Sequence, residues 1–204
     1  MHELTQGLAD DPSQDSRTRA RLDQSMVGAQ RLDICTSYIS RADLEQLCDW
    51  LDRMDNKARV RVLIGMAADG WEDWGKDEIT IRAEPFFLAQ HFRPDQKYDQ
   101  DAIPLLERLK RQEADGRLIV KLRHPRSALH ATLYVWTDAA GREEAWHANM
   151  PQLASTRDFV AWFDARWREQ DSVGGPKLVE EARQVVVANR PDQYGKIRAA
   201  RAGR

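Results

Sequence analysis

The chain has 204 residues and a mass of 23.5 kDa, which suits one domain whose core needs no metal or disulfide to hold it together. Hydrophobic residues make up 42% of the sequence and charged residues 31%, which excludes wholesale disorder. The net charge is −2 and the pI is about 6.2, so any binding of nucleic acid must come from a local basic patch.

The sequence carries no signal for export or membrane insertion. No stretch approaches the roughly 20 apolar residues that span a bilayer, and the N-terminus Met1-His2-Glu3-Leu4 is polar. We therefore expect a cytoplasmic protein that does not bind membranes. Cys35 and Cys48 lie within a predicted strand and a predicted helix and lack metal-ligand spacing. We expect buried, reduced thiols, no metal and no other cofactor.

The first third of the chain predicts a parallel βαβ unit. Residues 1–15 have little periodicity and predict a flexible tail, and apolar residues at helical spacing follow from Ser16. Residues 32–39 are apolar and β-branched, which indicates a buried strand. Ser40 is a suitable N-cap for the next helix, and 59–66 reads as a second buried strand. Strand, helix and strand with short links favour parallel pairing.

The middle of the chain predicts an antiparallel hairpin. After an irregular stretch over 67–98, a helix is expected near Pro104, where proline is tolerated in the first turn. Three further strands are predicted at 117–124, 128–136 and 142–149. The last two are joined by Asp138-Ala139-Ala140-Gly141, which has the composition of a hairpin loop.

The C-terminal part predicts two more helices. From about Thr156 a helix carries aromatic residues at helical spacing, which favours a face packed on the core. Gly174-Gly175-Pro176 predicts a flexible break before a last helix at 177–188 and a basic tail. These elements predict an α/β domain over 16–170, with a mixed, mostly parallel sheet flanked by helices and ending in the hairpin. Residues 171–204 are expected to form a C-terminal helix and basic tail.

The strand LHATLYVW contains the candidate chemical group, His130. Alternation along a strand places Leu129, Ala131, Leu133 and Val135 on one face, and His130, Thr132, Tyr134 and Trp136 on the other. The first set is uniformly apolar and predicts packing against helices. The second is polar or amphipathic and could line a cleft, although a single strand histidine is more often a structural residue.

The hairpin predicts partners for His130. If Thr137 pairs with Arg142 across a four-residue loop, His130 lies opposite Asn149 and Thr132 lies opposite His147. Opposed residues have Cβ atoms about 4.5–5.5 Å apart, so two imidazoles, an amide and a hydroxyl would converge. This prediction depends on the register, because a slip of one residue moves a side chain to the other face.

The preceding strand and loop add positive charge. Lys121 and Arg123 share one face of the predicted strand, and Arg126 follows in the loop. Imidazole groups beside basic donors suit a phosphate site, where the imidazole attacks or transfers a proton and the cations stabilise the oxyanions. The sequence therefore predicts Lys121, Arg123 and Arg126 as phosphate-binding residues.

With these motifs in place, the chain resembles phospholipase-D-like domains of the HKD superfamily, especially those linked to bacterial restriction and anti-phage helicase proteins. LHATLYVW resembles the family's LHAK-Y-apolar strand, and AWHANM occupies the place of its glycine-serine-serine-asparagine strand. LDICTSYISRADLEQLCDWL, RVRVLIG, GRLIVKLRHPRSALHA and DFVAWFDARW resemble further segments in the family's order. The resemblance covers roughly residues 18–170 except 67–98.

The resemblance implies a role for several residues. His130 matches the histidine that attacks phosphorus, and Asn149 matches the family's asparagine. Thr132 stands where the family has a phosphate-binding lysine, and Thr137 stands where it has an aspartate, with Asp138 one place late. Trp146, His147 and Ala148 replace a run of small residues. Since one copy of the motif is present, an active site would need a homodimer.

Two interpretations follow from the resemblance. In the first, the domain has lost catalysis and is a nucleic-acid- or protein-binding subunit of a DNA-processing or defence system, with a helicase or similar subunit as partner. In the second, His147 or Lys121 replaces the missing lysine, and a metal-independent phosphodiesterase remains with His130 as nucleophile. Losing one charge-stabilising donor typically costs about 3–4 kcal/mol of transition-state stabilisation, which favours the first. A soluble domain with a structural His130 is a third alternative.

Overall fold

The computed structural model describes residues 20–37, 39–65, 88, 102–123, 129–148, 150, 153–170, 172–175 and 177–187. Within these residues the chain forms a mixed six-stranded sheet with helices on both faces. The predicted α/β class and the mixed sheet flanked by helices are confirmed. The tail at 1–15, the irregular stretch at 67–98 apart from residue 88, and the basic tail at 191–204 lie outside the described residues.

The strands and helices follow the predicted order with one addition. The strands are β1 (Arg31–Thr36), β2 (Arg59–Ile64), β3 (Leu118–Arg123), β4 (Thr132–Thr137), β5 (Glu143–Ala148) and β6 (Ser172–Gly175). The helices are α1 (20–25), α2 (Arg41–Arg53), α3 (Ile103–Ala114), α4 (Thr156–Arg168) and α5 (Leu178–Val187). None of these helices is long and apolar enough to cross a membrane.

The sheet has a parallel centre and antiparallel ends. Its strand order is β5-β4-β1-β2-β3-β6. β1, β2 and β3 run parallel, which confirms the predicted βαβ unit. β4 pairs antiparallel with β1, β5 with β4, and β6 with β3. The start of β4 therefore lies at the carboxyl ends of the parallel strands, the edge at which open α/β sheets commonly bind ligands.

Local sequence signals fix the starts of several helices. Ser40 caps α2, as its position in the sequence predicts, and it also forms a capping box with Asp43. Ser155 and Asp158 form the same arrangement at the start of α4. Pro104 lies in the first turn of α3, where its missing N–H costs nothing.

The two faces of the sheet have different cores. One face, here called the three-helix face, packs on α2, α3 and α5 through side chains such as Ile34 and Val62. The other, here called the α4 face, packs on Phe159 and Phe163 of α4 through Cys35, Leu63, Leu133 and Val135. The predicted core-facing aromatic helix is thus confirmed, with Phe159 and Phe163 as its buried residues.

The expected flexible break at 174–176 is wrong for its two glycines, because Gly174 and Gly175 belong to β6 and pair with β3. Gly174 has a positive φ of 138°, and a Cβ there would lie 2.7 Å from the carbonyl oxygen of Val120. Glycine thus permits close pairing where the sequence suggests a break. The C-terminal segment supplies one strand, and through Leu178 and Val179 one helix, to the same sheet and core.

Candidate functional site

The hairpin register differs from the predicted one by one residue. Thr137 pairs with Glu143 rather than with Arg142, so Thr132 lies opposite Ala148 and Leu133 lies opposite His147. The amide N–H of Asp138 donates to the carbonyl of Arg142, which leaves a three-residue loop at 139–141. The Asp138 carboxylate accepts the backbone N–H of Arg142 and its guanidinium, and Gly141 takes a left-handed conformation.

This shift separates the two imidazoles. Ala131 and Leu129 pack in the core of the α4 face, so His130 and Thr132 point to the opposite side. His147 shares the α4 face with Leu133, its cross-strand neighbour. The predicted convergence of His130, Thr132 and His147 on one surface is therefore wrong, because an odd loop length moves every residue of β5 to the other face.

His130 is solvent-exposed just before β4 and is held there through the backbone. The N–H of Leu129 donates to the carbonyl of Gly65 at 2.9 Å, across the end of β2. A Cβ on Gly65 would lie 2.4 Å from the Leu129 carbonyl oxygen, so this crossing requires glycine. The chain thus presents His130 at the carboxyl edge of the sheet, while Thr132 is half-buried.

The face beyond His130 does not line a cleft. Trp136 is 2% exposed and belongs to the core of the three-helix face. Tyr134 packs edge-on against Trp50, with ring centroids 6.1 Å apart, and lies 5.8 Å from Trp146. The prediction of a cleft along Tyr134 and Trp136 is wrong. α2 packs over these amphipathic side chains as it packs over the aliphatic side chains of the same face.

His147 is engaged by α4. Its ring stacks on Phe159, with centroids 4.4 Å apart and planes inclined by 29°. Its Nδ1 atom is buried and has no hydrogen-bond partner among the described residues. A ring held in this way fills space between β5 and α4.

Lys121 binds the carboxyl end of α4. Its ammonium donates to the carbonyl of Trp167 at 2.9 Å and lies 4.8 Å from the centre of that indole ring. The last carbonyls of a helix lack internal partners and favour a cation, so this contact stabilises the helix end. Burial and the neighbouring Arg61 guanidinium lower the pKa of Lys121.

Arg123 is neutralised within the fold. Its side chain is 3% exposed, donates to the Ser172 hydroxyl at 3.0 Å and forms an ion pair with Glu169 at 2.5 Å. Arg166 also pairs with Glu169. Burial raises the pKa of Glu169, but the hydrogen bonds from Arg166 and Arg123 outweigh it and hold that pKa below its usual range. A guanidinium so placed has little capacity left for a phosphate.

The structure thus brings Lys121, Arg123 and His147 to one side of the sheet and His130 and Thr132 to the other. Asn149 and Arg126, the remaining predicted site residues, lie outside the described residues. Cys35 and Cys48 are buried free thiols as predicted, and burial raises the pKa of each to about 12. Within the described part of the chain, no three metal-ligating side chains cluster as a cation site.

A charged network that the sequence analysis missed lies on the α4 face. The Asp33 carboxylate, at 0% exposure, accepts from Nε of Arg31 at 2.7 Å and from two nitrogens of Arg61 at 2.6 and 2.8 Å. Arg61 also donates to Asp164 at 2.8 Å, and its guanidinium lies 4.9 Å from the centre of the Phe163 ring. The hydrogen bonds and the attraction of Asp33 and Asp164 outweigh burial and raise the pKa of Arg61.

The sequence contains a signal for this network. Asp33 interrupts an otherwise apolar strand, and Arg59 and Arg61 alternate with valines in the next one. Because β1 and β2 are parallel and pair Asp33 with Arg61, a buried carboxylate in one strand matches a cation in its neighbour.

Comparison with known proteins adds no relative: no protein-family model matches the chain, and none of the curated proteins matches it in sequence.

Proposed function

We propose that this chain is a catalytically impaired phospholipase-D-like domain that serves as a nucleic-acid- or protein-binding subunit of a DNA-processing or defence system. The resemblance of residues 18–170, in the family's order, supports the family and the association with restriction and helicase proteins. The geometry of the site supports the loss of catalysis.

The observation that carries the proposal is that His130 lies on the opposite face of the sheet from Lys121, Arg123 and His147. Attack of an imidazole on a phosphodiester needs a nucleophile and charge-stabilising donors around the same oxygens. His130 points away from the α4 face, whereas Lys121, Arg123 and His147 belong to it. One phosphoryl group cannot contact both sets within one chain.

The contacts of the cationic side chains also favour loss of catalysis. Lys121 is bound to a helix carbonyl, and Arg123 is paired with Glu169. Releasing Lys121 would leave the Trp167 carbonyl without this donor, and releasing Arg123 would remove one of the two guanidiniums that pair with Glu169. Each loss would cost about 1–3 kcal/mol. Thr132, at the position of the family's lysine, cannot supply the missing positive charge because its hydroxyl is neutral.

The proposal is tested by metal-free cleavage. Wild-type protein and His130→Ala would be incubated in EDTA with labelled single- and double-stranded DNA and with bis-p-nitrophenyl phosphate. Because His130 is exposed, the alanine variant should fold, which circular dichroism checks. We expect no turnover by the wild type above that of the variant.

Turnover in EDTA that His130→Ala abolishes would contradict the proposal and favour a metal-independent phosphodiesterase. Sedimentation of the same samples tests the homodimer that the resemblance implies. Activity confined to a dimer would mean that a second copy completes a site that one chain lacks.

A further inference from the structure

Part of the α4 face is left open. Directly paired positions form rows across the sheet, and the row His147, Leu133, Cys35, Leu63 and Lys121 lies under α4. On the same face, the next row towards the amino ends of the parallel strands contains Asp33, Arg61 and the half-buried Ile119. In the row after it, Arg31 and Thr137 are half-buried and Arg59 is exposed. α4 therefore covers the carboxyl half of this face and leaves much of the other half accessible.

Arg31 and Arg59 of the two central strands occupy this open half, and Arg61, which pairs with Asp164 of α4, lies at its border. Arg31 and Arg59 are direct neighbours in register, and Arg61 follows two residues after Arg59 on the same face. We call Arg31, Arg59 and Arg61 the arginine surface. Like charges at directly opposed positions destabilise a sheet, so adjacent arginines here oppose the usual pairing preference. Local conflicts of this kind are concentrated at functional sites.

The buried Asp33 gives the arginine surface a fixed geometry. Its buried carboxylate forms ion pairs with Arg31 and Arg61, whose side chains are 29% and 22% exposed. Among the described residues, the Arg59 side chain has no hydrogen-bond or ion-pair partner. A partner would therefore meet two guanidiniums already ordered and one free to adapt, which lowers the entropy cost of binding.

The charge of the region is positive although that of the chain is negative. This part of the molecule carries four arginines and three carboxylates, which gives it a net charge of +1. The residues are Arg31, Arg59, Arg61 and Arg168, with Asp33, Asp164 and Glu143.

We propose that the arginine surface binds the phosphodiester backbone of nucleic acid. This rests on the proposed function and names the partner and the surface of that binding subunit. Guanidinium groups pair with phosphate in a bidentate manner. The exposed Arg59 can do so directly, while Arg31 and Arg61, which are already paired with carboxylates, add positive charge beside it. A protein partner would require a buried aromatic or aliphatic anchor. The described apolar side chains here, Ile119, Ala145 and Trp167, are all half-buried, so none is a fully exposed anchor.

The test measures fluorescence anisotropy of labelled oligo-dT and of a double-stranded DNA, at about 50 and 200 mM salt. Arg59→Ala and Arg59→Glu are the test variants, because Arg31 and Arg61 also hold the buried Asp33. Arg111→Glu is the matched control. Arg111 is an exposed arginine of α3, on the other side of the sheet, and has no ion pair within the described part of the chain.

We expect the wild type to bind oligo-dT with a dissociation constant on the order of 10–100 µM near physiological salt. Arg59→Ala should weaken binding about threefold to tenfold and reduce the salt slope by about 0.7. Arg59→Glu should weaken it further, and Arg111→Glu should change it by less than about twofold.

Equal loss in Arg59→Glu and Arg111→Glu would overturn the inference, because binding would then follow net charge. Binding of labelled poly-glutamate but not of either DNA would overturn it in favour of an acidic protein partner, and no binding by folded wild type would also overturn it. The cleavage assay reports separately on the proposed function. Turnover that depends on His130 would refute impaired catalysis. It would not decide whether the arginine surface binds DNA, which the anisotropy of the Arg59 variants tests separately.

Discussion

Replacing Asp33 by asparagine should destabilise the protein more than any other neutral, isosteric change on the α4 face. The carboxylate is fully buried and accepts three hydrogen bonds of 2.6–2.8 Å from two guanidiniums. Asparagine keeps one acceptor oxygen but turns an NH₂ group towards donors. At least one charge-assisted hydrogen bond is lost, and two half-buried cations lose their counter-charge.

The magnitude follows from the surroundings of the two arginines. Breaking a buried ion pair by removing one partner costs about 3–5 kcal/mol. Arg31 and Arg61 retain 29% and 22% exposure, and Arg61 keeps Asp164, so solvent and that carboxylate reduce the cost. We expect a loss near 3 kcal/mol, or roughly 6–12 °C in Tm for a chain of this length.

Urea and thermal unfolding monitored by circular dichroism would measure the change, with Asp164→Asn as the matched control. Asp164 pairs with Arg61 but is 27% exposed, so its loss should cost only about 0.5–1 kcal/mol. An Asp33→Asn variant no less stable than Asp164→Asn would refute the conclusion that a buried carboxylate holds the arginine surface together.

Two further changes test other parts of the structure. The Glu113 carboxylate accepts the N–H groups of Val179 and Glu180, but burial raises its pKa. The stability that Glu113 contributes is therefore complete below the ordinary pKa of a glutamate, and it is lost as the pH rises through the raised pKa of the folded state. The stability deficit of Glu113→Gln, measured by urea unfolding, should shrink from about pH 4 to pH 7, and a growing deficit would contradict this sign. Gly65→Ala places a Cβ 2.4 Å from the Leu129 carbonyl oxygen and should cost about 1–3 kcal/mol in the same assay, whereas an unchanged midpoint would show that the crossing before β4 can move freely.

Much of the fold could be predicted because local signals agree with it. Ser40 marks the start of α2, Pro104 the first turn of α3, and the apolar runs the central strands. β6 could not be predicted in this way, because Gly174 and Gly175 have the composition of a break. The backbone of the partner strand β3 approaches Gly174 so closely that a Cβ would clash with it, and this contact is the reason that glycine occurs within the strand.

The candidate site was less predictable because it depends on one loop residue. Asp138-Ala139-Ala140-Gly141 predicts a hairpin, but composition does not decide whether Thr137 or Asp138 closes the loop. The side chain of Asp138 captures Arg142, and the register moves by one. His147 then stacks on Phe159, a contact that no periodicity within β5 could indicate.

Cross-linking of the hairpin tests the central claim most directly, because impaired catalysis depends on His130 and His147 lying on opposite faces. Thr132→Cys would be combined with Ala148→Cys in one variant and with His147→Cys in another. Cys35 and Cys48 can remain, since both are buried and their pKa values of about 12 keep them as thiols. Mild oxidation followed by mass spectrometry of proteolytic fragments identifies the pair that forms.

We predict a disulfide in the Thr132→Cys/Ala148→Cys variant, whose side chains are directly opposed on one face. The Thr132→Cys/His147→Cys variant should stay reduced under the same conditions, since its two side chains point to opposite sides of the sheet. Efficient cross-linking of that second variant, with none in the first, would contradict the account, because it would return His130, Thr132 and His147 to one surface.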